Sequence, residues 1–461
     1  MERTRTRAAV MSSRPRLMPA LGTWASFLTF SGQGVRNIVG WTLFGVIAAI
    51  STVILLVVFL REGHRVPLRA LPPVACAYTV LCVLSLAWSQ FPAETALAAA
   101  LMVTTSAVGI LLACSLSLRE LTVALGRALE ATIALSLVLE AWVALVLHHP
   151  LAPLYMRNWD VIPSSYYWSD GLLFQGGPIQ GIIGNRNPLA FVALLTLICV
   201  VVRWRDHQIS NSHLVVWSAL CLLTLALTRS ATVTVATMVC GGLAFLLWCL
   251  RRLGGARRRR ALVMAAGAAM VAGALSLVFN QTIIMLLGRS PDASGRWVIW
   301  ERVIALWQQR PILGWGWIMY WEPWIPMFQT LVIRPDGTPT MSAHNAYVEA
   351  LFQTGVVGAL LIVLLMAQLL IQTGRLALRY LDSDSSVLLP VLLTTALAVQ
   401  ALSESRLLSE GNWMVVCALA TWLGLHRMVE RTASRWRPSS DATRSIYLPA
   451  SSRRSERMLV P

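Results

Sequence analysis

His344 and Asn345 stand side by side near the end of a long polar stretch, and Gly355 and Gly358 follow at set distances, in the order His-Asn-x9-Gly-x-x-Gly. Histidine is the side chain most often used to move a proton at neutral pH. One placed directly ahead of a helical run, here the run from about Tyr347, is suited to take the proton of an attacking hydroxyl. A lone histidine is more often structural, but the paired asparagine and the two glycines weigh against that reading. Three arginines could supply positive charge to the same reaction. Arg296 follows Gly295 at the head of a Trp-rich segment; Arg229 sits in the short turn Leu227-Thr228-Arg229-Ser230-Ala231-Thr232 between two apolar runs; Arg186 lies in Gly184-Asn185-Arg186-Asn187-Pro188, where another run begins. The planar guanidinium fork matches phosphate oxygens. At membrane depth an arginine is costly unless it faces a bundle interior or meets an anion. Taken singly, each is better explained by snorkelling to the interface; for the three together on one face, a diphosphate site is as good a reading. The long polar stretches contain no Asp-x-Asp, no histidine cluster and no Gly-x-Ser-x-Gly. Metal-dependent transfer and serine hydrolysis are therefore disfavoured, and no metal or cofactor is expected.

The elements that must position these residues are helices in a membrane. The chain has 461 residues, 56% hydrophobic and 13% charged, where a soluble domain carries about 25% charged residues. Apolar runs recur near 17–33 (a weak one), 38–60, 71–89, 95–117, 121–147, 187–202, 213–228, 231–250, 261–287, 347–372, 386–403 and 411–428. They are continuous rather than alternating, which predicts an all-α, polytopic transmembrane bundle of about twelve spans and excludes a barrel. The expected organisation is a basic N-terminal tail over 1–16, a single transmembrane domain over 17–433 and a second Arg/Ser-rich tail over 434–461, both tails disordered.

The net charge of +17 is carried entirely by arginine. Because the arginines flank apolar runs, they read as topology signals and membrane-lipid contacts rather than as a nucleic-acid surface. Counting the weak first run as a span puts most of them on the side of both termini, so both ends are expected in the cytoplasm. Two long loops, 148–186 and 288–346, are then extracytoplasmic, and function is expected there. In the second, Trp297, Trp300, Ile304 and Trp307 share one helical face, as expected of a helix lying in the interface, with Ser294 or Asp292 available as its cap. Arg310-Pro311-Ile312-Leu313-Gly314 then makes a turn. The eight cysteines fall within or at the ends of apolar runs, with no Cys-x-x-Cys, and read as small core residues.

With these residues in view, the chain resembles the O-antigen ligase/polymerase superfamily of bacterial membrane glycosyltransferases. The resemblance rests on Gly295-Arg296 leading to Trp300, on Arg310-Pro311-x-x-Gly314-x-Gly316, and on His344-Asn345-x9-Gly355-x-x-Gly358. Thr228-Arg229-Ser230-Ala231-Thr232 is similar to the family's Ser/Arg turn with the order shifted. Gly184-Asn185-Arg186-Asn187 and Ser403-Glu404-Ser405 resemble further patches of its exopolysaccharide-polymerase branch. The similarity covers roughly residues 170–425.

The resemblance implies a glycan donor on undecaprenyl diphosphate and a glycan or glycolipid acceptor whose hydroxyl displaces the lipid diphosphate. It implies His344 as base, with Arg296, Arg229, Arg186 and Asn345 binding substrate and polysaccharide assembly proteins as candidate partners. Ligase, polymerase and protein O-glycosyltransferase share these motifs and stay open. A flippase or transporter is the alternative from another class, hinted at by Glu130 and Glu140 within one span; a non-catalytic assembly component is the third.

Overall fold

In an apolar stretch without water, backbone groups must pair within their own segment, and the chain answers with helices. The structure is a computed structural model that describes residues 16–278, 295–383 and 386–435. Both expected tails lie almost wholly outside these residues, as do the start of the second polar loop and its candidate caps Ser294 and Asp292.

In chain order the helices are α1 (Met18–Phe30), α2 (Gly32–Arg61), α3 (Pro73–Leu84), α4 (Pro92–Ser115), α5 (Leu118–Trp142), α6 (Arg186–Arg205), α7 (Asn211–Thr228), α8 (Ala231–Arg251), α9 (Gly255–Val278), α10 (Arg296–Trp307), α11 (Pro326–Gln329), α12 (Ala346–Arg379), α13 (Leu388–Ala401) and α14 (Glu410–Arg435). Among the described residues the only strand-like pairings are two isolated bridges, Leu151 with Ser169 and Ile333 with Pro339.

Each of the twelve apolar runs is helical over its described part. Seven of these helices are both long and apolar enough to cross a membrane, and Pro73–Ala87 and Leu388–Ala401 are shorter apolar ones. Apolar side chains such as Ile50, Val53 and Leu60 on α2 face outward with more than half their surface exposed. Such a display is unfavourable in water and fits lipid. The protein is a multi-pass helical membrane protein.

The weak first run forms a short helix. Its helix α1 has 13 residues, stops at Ser31, and the chain resumes helically before bending again at Gly40. At 1.5 Å per residue, 13 residues reach only about 20 Å. Helix α1 packs along α5, while α14 packs along α4 and α6 lies between α5 and α7. The enclosed helix α6 buries Phe191, Leu194, Leu195 and Ile198.

The two glutamates that hinted at transport have structural partners. Glu140 is fully buried and accepts hydrogen bonds from the Ser169 hydroxyl (2.9 Å) and the amides of Gln180 (2.9 Å) and Gly181 (2.7 Å), which ties the 148–186 stretch onto α5. Glu130 pairs with Arg203 at 2.6 Å and with His213 at 3.0 Å, linking α5 to α6 and α7.

The second polar stretch is a folded cap rather than a loop. Ile299, Val303, Trp315, Ile318, Trp321, Ile325, Phe328 and Phe352 form its own apolar core. Trp321 stacks on Phe328 with ring centroids 5.5 Å apart. Helix α10 buries Ile299 and Val303 into that core, while Trp297 and Ile304 stay exposed.

Asp336 joins this cap to the 148–186 stretch. Its carboxylate accepts from the Thr338 hydroxyl (2.7 Å) and amide (3.1 Å), the Ser165 amide (3.0 Å) and the Ser164 hydroxyl (3.2 Å). These bonds, the Thr338 hydroxyl foremost, hold its carboxyl well below the usual carboxylate range. A depressed carboxyl contributes stability above the ordinary aspartate value and loses it as pH falls through the folded value. Asp336→Ala should therefore release the Ser164–Tyr166 turn at neutral pH. Its amide exchange should accelerate about three- to tenfold, the worth of a charged hydrogen bond discounted for solvent. Unchanged exchange would assign the contact between the two stretches to other residues.

Candidate active site

A single carboxylate gathers the scattered motifs. After α13 the chain crosses between helices in extended conformation at Glu404, whose side chain is buried. Glu404 Oε1 accepts from the Asn187 amide nitrogen at 2.8 Å and from an Arg296 guanidinium nitrogen at 3.3 Å, and its Oε2 lies 3.3 Å from His344 Nδ1. Asn187 in turn accepts the Ser230 hydroxyl at 2.9 Å. Five patches spread over more than two hundred residues thus meet: 184–187, 228–232, 295–296, 344–345 and 403–405. Burial alone would favour protonated Glu404. The His344 hydrogen bond and the charges of His344, Arg296 and Arg406 outweigh it and hold this carboxyl below the ordinary glutamate range.

His344 is held in an uncommon backbone geometry, with φ at 50°. Its neighbours fix it there. The Ala343 carbonyl accepts the Trp300 indole N–H at 2.8 Å, and the Ala343 amide donates to Glu349 Oε2 at 2.7 Å. On the other side Asn345 caps α12, its Oδ1 accepting from the amides of Tyr347 (2.9 Å) and Val348 (3.1 Å). The cap is therefore Asn345, and the imidazole is free of that duty. A carboxylate only accepts hydrogen bonds, so the imidazole nitrogen facing Glu404 is the donor and Nε2 is left to receive a proton.

A second buried carboxylate braces the first pair. Glu349, 1% exposed, accepts from Gln353 Nε2 (2.6 Å), Trp321 Nε1 (2.7 Å), the Ala343 amide and the Ser405 hydroxyl (2.8 Å). It thereby holds the residue before His344 and the residue after Glu404. The Asn345 amide donates to the same Ser405 hydroxyl at 3.2 Å, and the Asn345 side chain donates to the Leu402 carbonyl at 3.0 Å. Both ends of the Asn345 amide are thus engaged by backbone.

The two glycine motifs are the halves of one joint. Gly355 takes φ of 67° inside α12 and interrupts the helix. The amides of Val356 and Val357 donate to the carbonyls of Pro311 (2.9 Å) and Ile312 (3.4 Å), and those of Trp315 and Gly316 donate back to Phe352 (3.2 Å) and Gln353 (2.9 Å). At Gly314, with φ of 69°, an added Cβ would stand 2.6 Å from the Gln353 carbonyl, so only glycine permits this approach. Gly358 packs against Thr354 and Tyr78, and Gly316 against Ser89. Gly295, also left-handed, begins α10 and so sets Arg296 at its first position.

The remaining arginines reach the site through their neighbours. Arg186 opens α6 with Asn185 as cap, one residue before Asn187. Arg229 ends α7 in left-handed conformation, one residue before Ser230. Its exposed side chain makes no hydrogen bond or ion pair among the described residues. Gly176 leaves room for its guanidinium, since a Cβ there would lie 2.8 Å from a guanidinium nitrogen. Asn187, Glu404 and Ser405 entered the sequence reading only within patches that resemble the exopolysaccharide-polymerase branch, with no role at the site, and Glu349 was missed.

Residues 214–363 match the family model described as O-antigen ligase. That segment contains Arg229, Arg296, His344 and the glycine joint, while Asn187 and Glu404 lie on either side of it. No curated protein matches the chain.

Proposed function

We propose that this protein, whose residues 214–363 match the O-antigen ligase family model, transfers or polymerises glycan from an undecaprenyl-diphosphate donor onto an acceptor hydroxyl. The observation that carries the proposal is the convergence of His344 and Arg296 on Glu404, with Ser230 beside Arg229 joined through Asn187. Twelve crossings with both termini in the cytoplasm would place this site at the outer face of the cell membrane, in line with the arginine distribution.

The acceptor oxygen attacks the anomeric carbon and forms the new glycosidic bond. The bond from that carbon to the lipid diphosphate breaks, and its electron pair leaves with the diphosphate oxygen. His344 Nε2 takes the acceptor proton, and Glu404 orients the ring and stabilises the imidazolium. Arg229, with Arg296 and Arg186, offsets the charge developing on the departing diphosphate. Asn345 and Glu349 act as positioning residues, since their side chains are spent on the backbone and partners that set His344 and Glu404.

The test is reconstitution of the full chain in liposomes with an undecaprenyl-diphosphate-linked glycan, following release of undecaprenyl diphosphate. Arg→Lys keeps charge but loses the bidentate fork, so it should slow release. Arg229→Ala and Arg296→Ala should each slow it about 10²–10³-fold, the usual cost of one charge-stabilising donor. Wild-type rates in both alanine variants at equal protein level would refute the diphosphate assignment. Absence of release from any such donor by the wild type would refute glycan transfer itself.

A further inference from the structure

At the other end of the helices that carry the site lies a cavity of about 530 Å³, within the range of ligand pockets. Its polar lining includes Arg69, Arg427, Arg431 and Gln368; Leu71 and Met428 give it an apolar wall. Helix α14 runs from Glu410, beside the site, to Met428 at the cavity. Those eighteen steps span about 27 Å at 1.5 Å each, close to the ~30 Å hydrocarbon core of a bilayer. The cavity therefore sits at the membrane face opposite the catalytic carboxylate. In the orientation proposed above, that is the cytoplasmic leaflet.

Two features make this more than a scatter of surface charge. A side chain at Gly424 would run into the Ala70 carbonyl, so the glycine lets the turn Leu68–Ala70 lie directly on α14. That contact brings Arg69 to the same cavity as Arg427 and Arg431. The nearby carboxylate of Glu430 is engaged elsewhere, by Arg379 at 2.7 Å and the Tyr380 hydroxyl at 2.7 Å. Arg69 makes no ion pair among the described residues, and Arg427 donates only to the Leu423 carbonyl within its own helix.

We propose that this cavity binds the phosphate headgroup of an anionic phospholipid, with the start of an acyl chain along Leu71 and Met428. Arginines between helices at the level of the headgroups are suited to phosphate oxygens. The apolar wall and the depth at the membrane face favour a lipid over a soluble phosphate.

The experiment counts phosphatidylglycerol and phosphatidylcholine bound to the purified full chain by native mass spectrometry across a lipid titration. The wild type should retain one phosphatidylglycerol in preference to phosphatidylcholine. Each arginine near an anionic headgroup is worth roughly fivefold in affinity. Arg69→Gln with Arg427→Gln should then weaken retention about 25-fold, and Arg427→Gln alone about fivefold, which keeps the test intact if the double variant folds poorly. Arg251→Gln with Arg252→Gln removes the same charge away from the cavity and should leave retention unchanged. Equal weakening by that control would show diffuse attraction instead of a site. Displacement by millimolar inorganic phosphate would show a soluble-anion site, and absence of any preference for phosphatidylglycerol would end the proposal.

Discussion

Purified His344→Ala is expected to transfer glycan about 10²–10⁴-fold more slowly than the wild type, the usual contribution of a positioned base, or roughly 3–5 kcal/mol of barrier. The loss should fall on kcat, with the lipid-linked donor still bound. Stability should change little. The imidazole is partly exposed, the cap of α12 belongs to Asn345, and the strained backbone at 344 is held by Trp300 and Glu349 through Ala343. His344→Asn separates proton transfer from hydrogen bonding. An asparagine tolerates the left-handed backbone and can still donate to Glu404, but it cannot take a proton. If the histidine served only as a link to Glu404, His344→Asn would recover activity. If it is the base, both variants lose transfer at unchanged melting temperature. Full activity in His344→Asn would leave arginine-assisted departure of the diphosphate as the main catalytic device.

The helical architecture was legible in the sequence because lipid solvent leaves few alternatives: a continuous apolar run of span length has to be a helix. What composition could not give was which helices pack together. The short helix α1 lies against α5, because where its side chains find partners depends on residues a hundred positions away. The tryptophans of α10 read as an exposed apolar face, yet only Trp297 is exposed while Trp300 packs against the core of the cap; Trp315 and Trp321 were not legible as a core either, since an indole at a membrane surface and one inside a small cap look the same in sequence. His344 and Arg296 could be singled out because each is a charged or titratable residue at the start of a helix. Glu404 stood out only as part of the patch Ser403-Glu404-Ser405, with no role attached. It is one acid in a three-residue polar turn, and what makes it the hub is its contact with residues 60, 108 and 217 positions away. Glu349 was hidden for the opposite reason: it sits within an apolar run, where helical periodicity gives no hint that four donors converge on it.

Glu404→Ala should be the most damaging single change, because it removes the partner of Arg296, His344 and Asn187 together. Removing one member of a buried ion pair costs about 3–5 kcal/mol. Here Arg296 and His344 keep 20% and 28% of their side-chain surface exposed, so water recovers part of that, and a loss of about 2 kcal/mol is expected. Glu404→Gln distinguishes charge from shape. It keeps one acceptor oxygen for Asn187 but turns a donor amide toward His344 and carries no negative charge to stabilise an imidazolium, so transfer should fall about a hundredfold with a smaller loss of stability. The pH dependence of melting gives a second readout with a fixed sign. Because the carboxyl of Glu404 is held below the ordinary glutamate range, it stabilises the fold above that range, and the contribution fades as pH falls through the folded value. The wild type should therefore lose melting temperature on acidification below the ordinary glutamate range. In Glu404→Gln the share of that loss due to this carboxyl should vanish, and the melting-temperature gap between the two proteins should narrow as pH falls. A gap that widens as pH falls would mean Glu404 is neutral in the folded protein. A neutral acid could not stabilise a protonated His344, and proton transfer would then have to run without it.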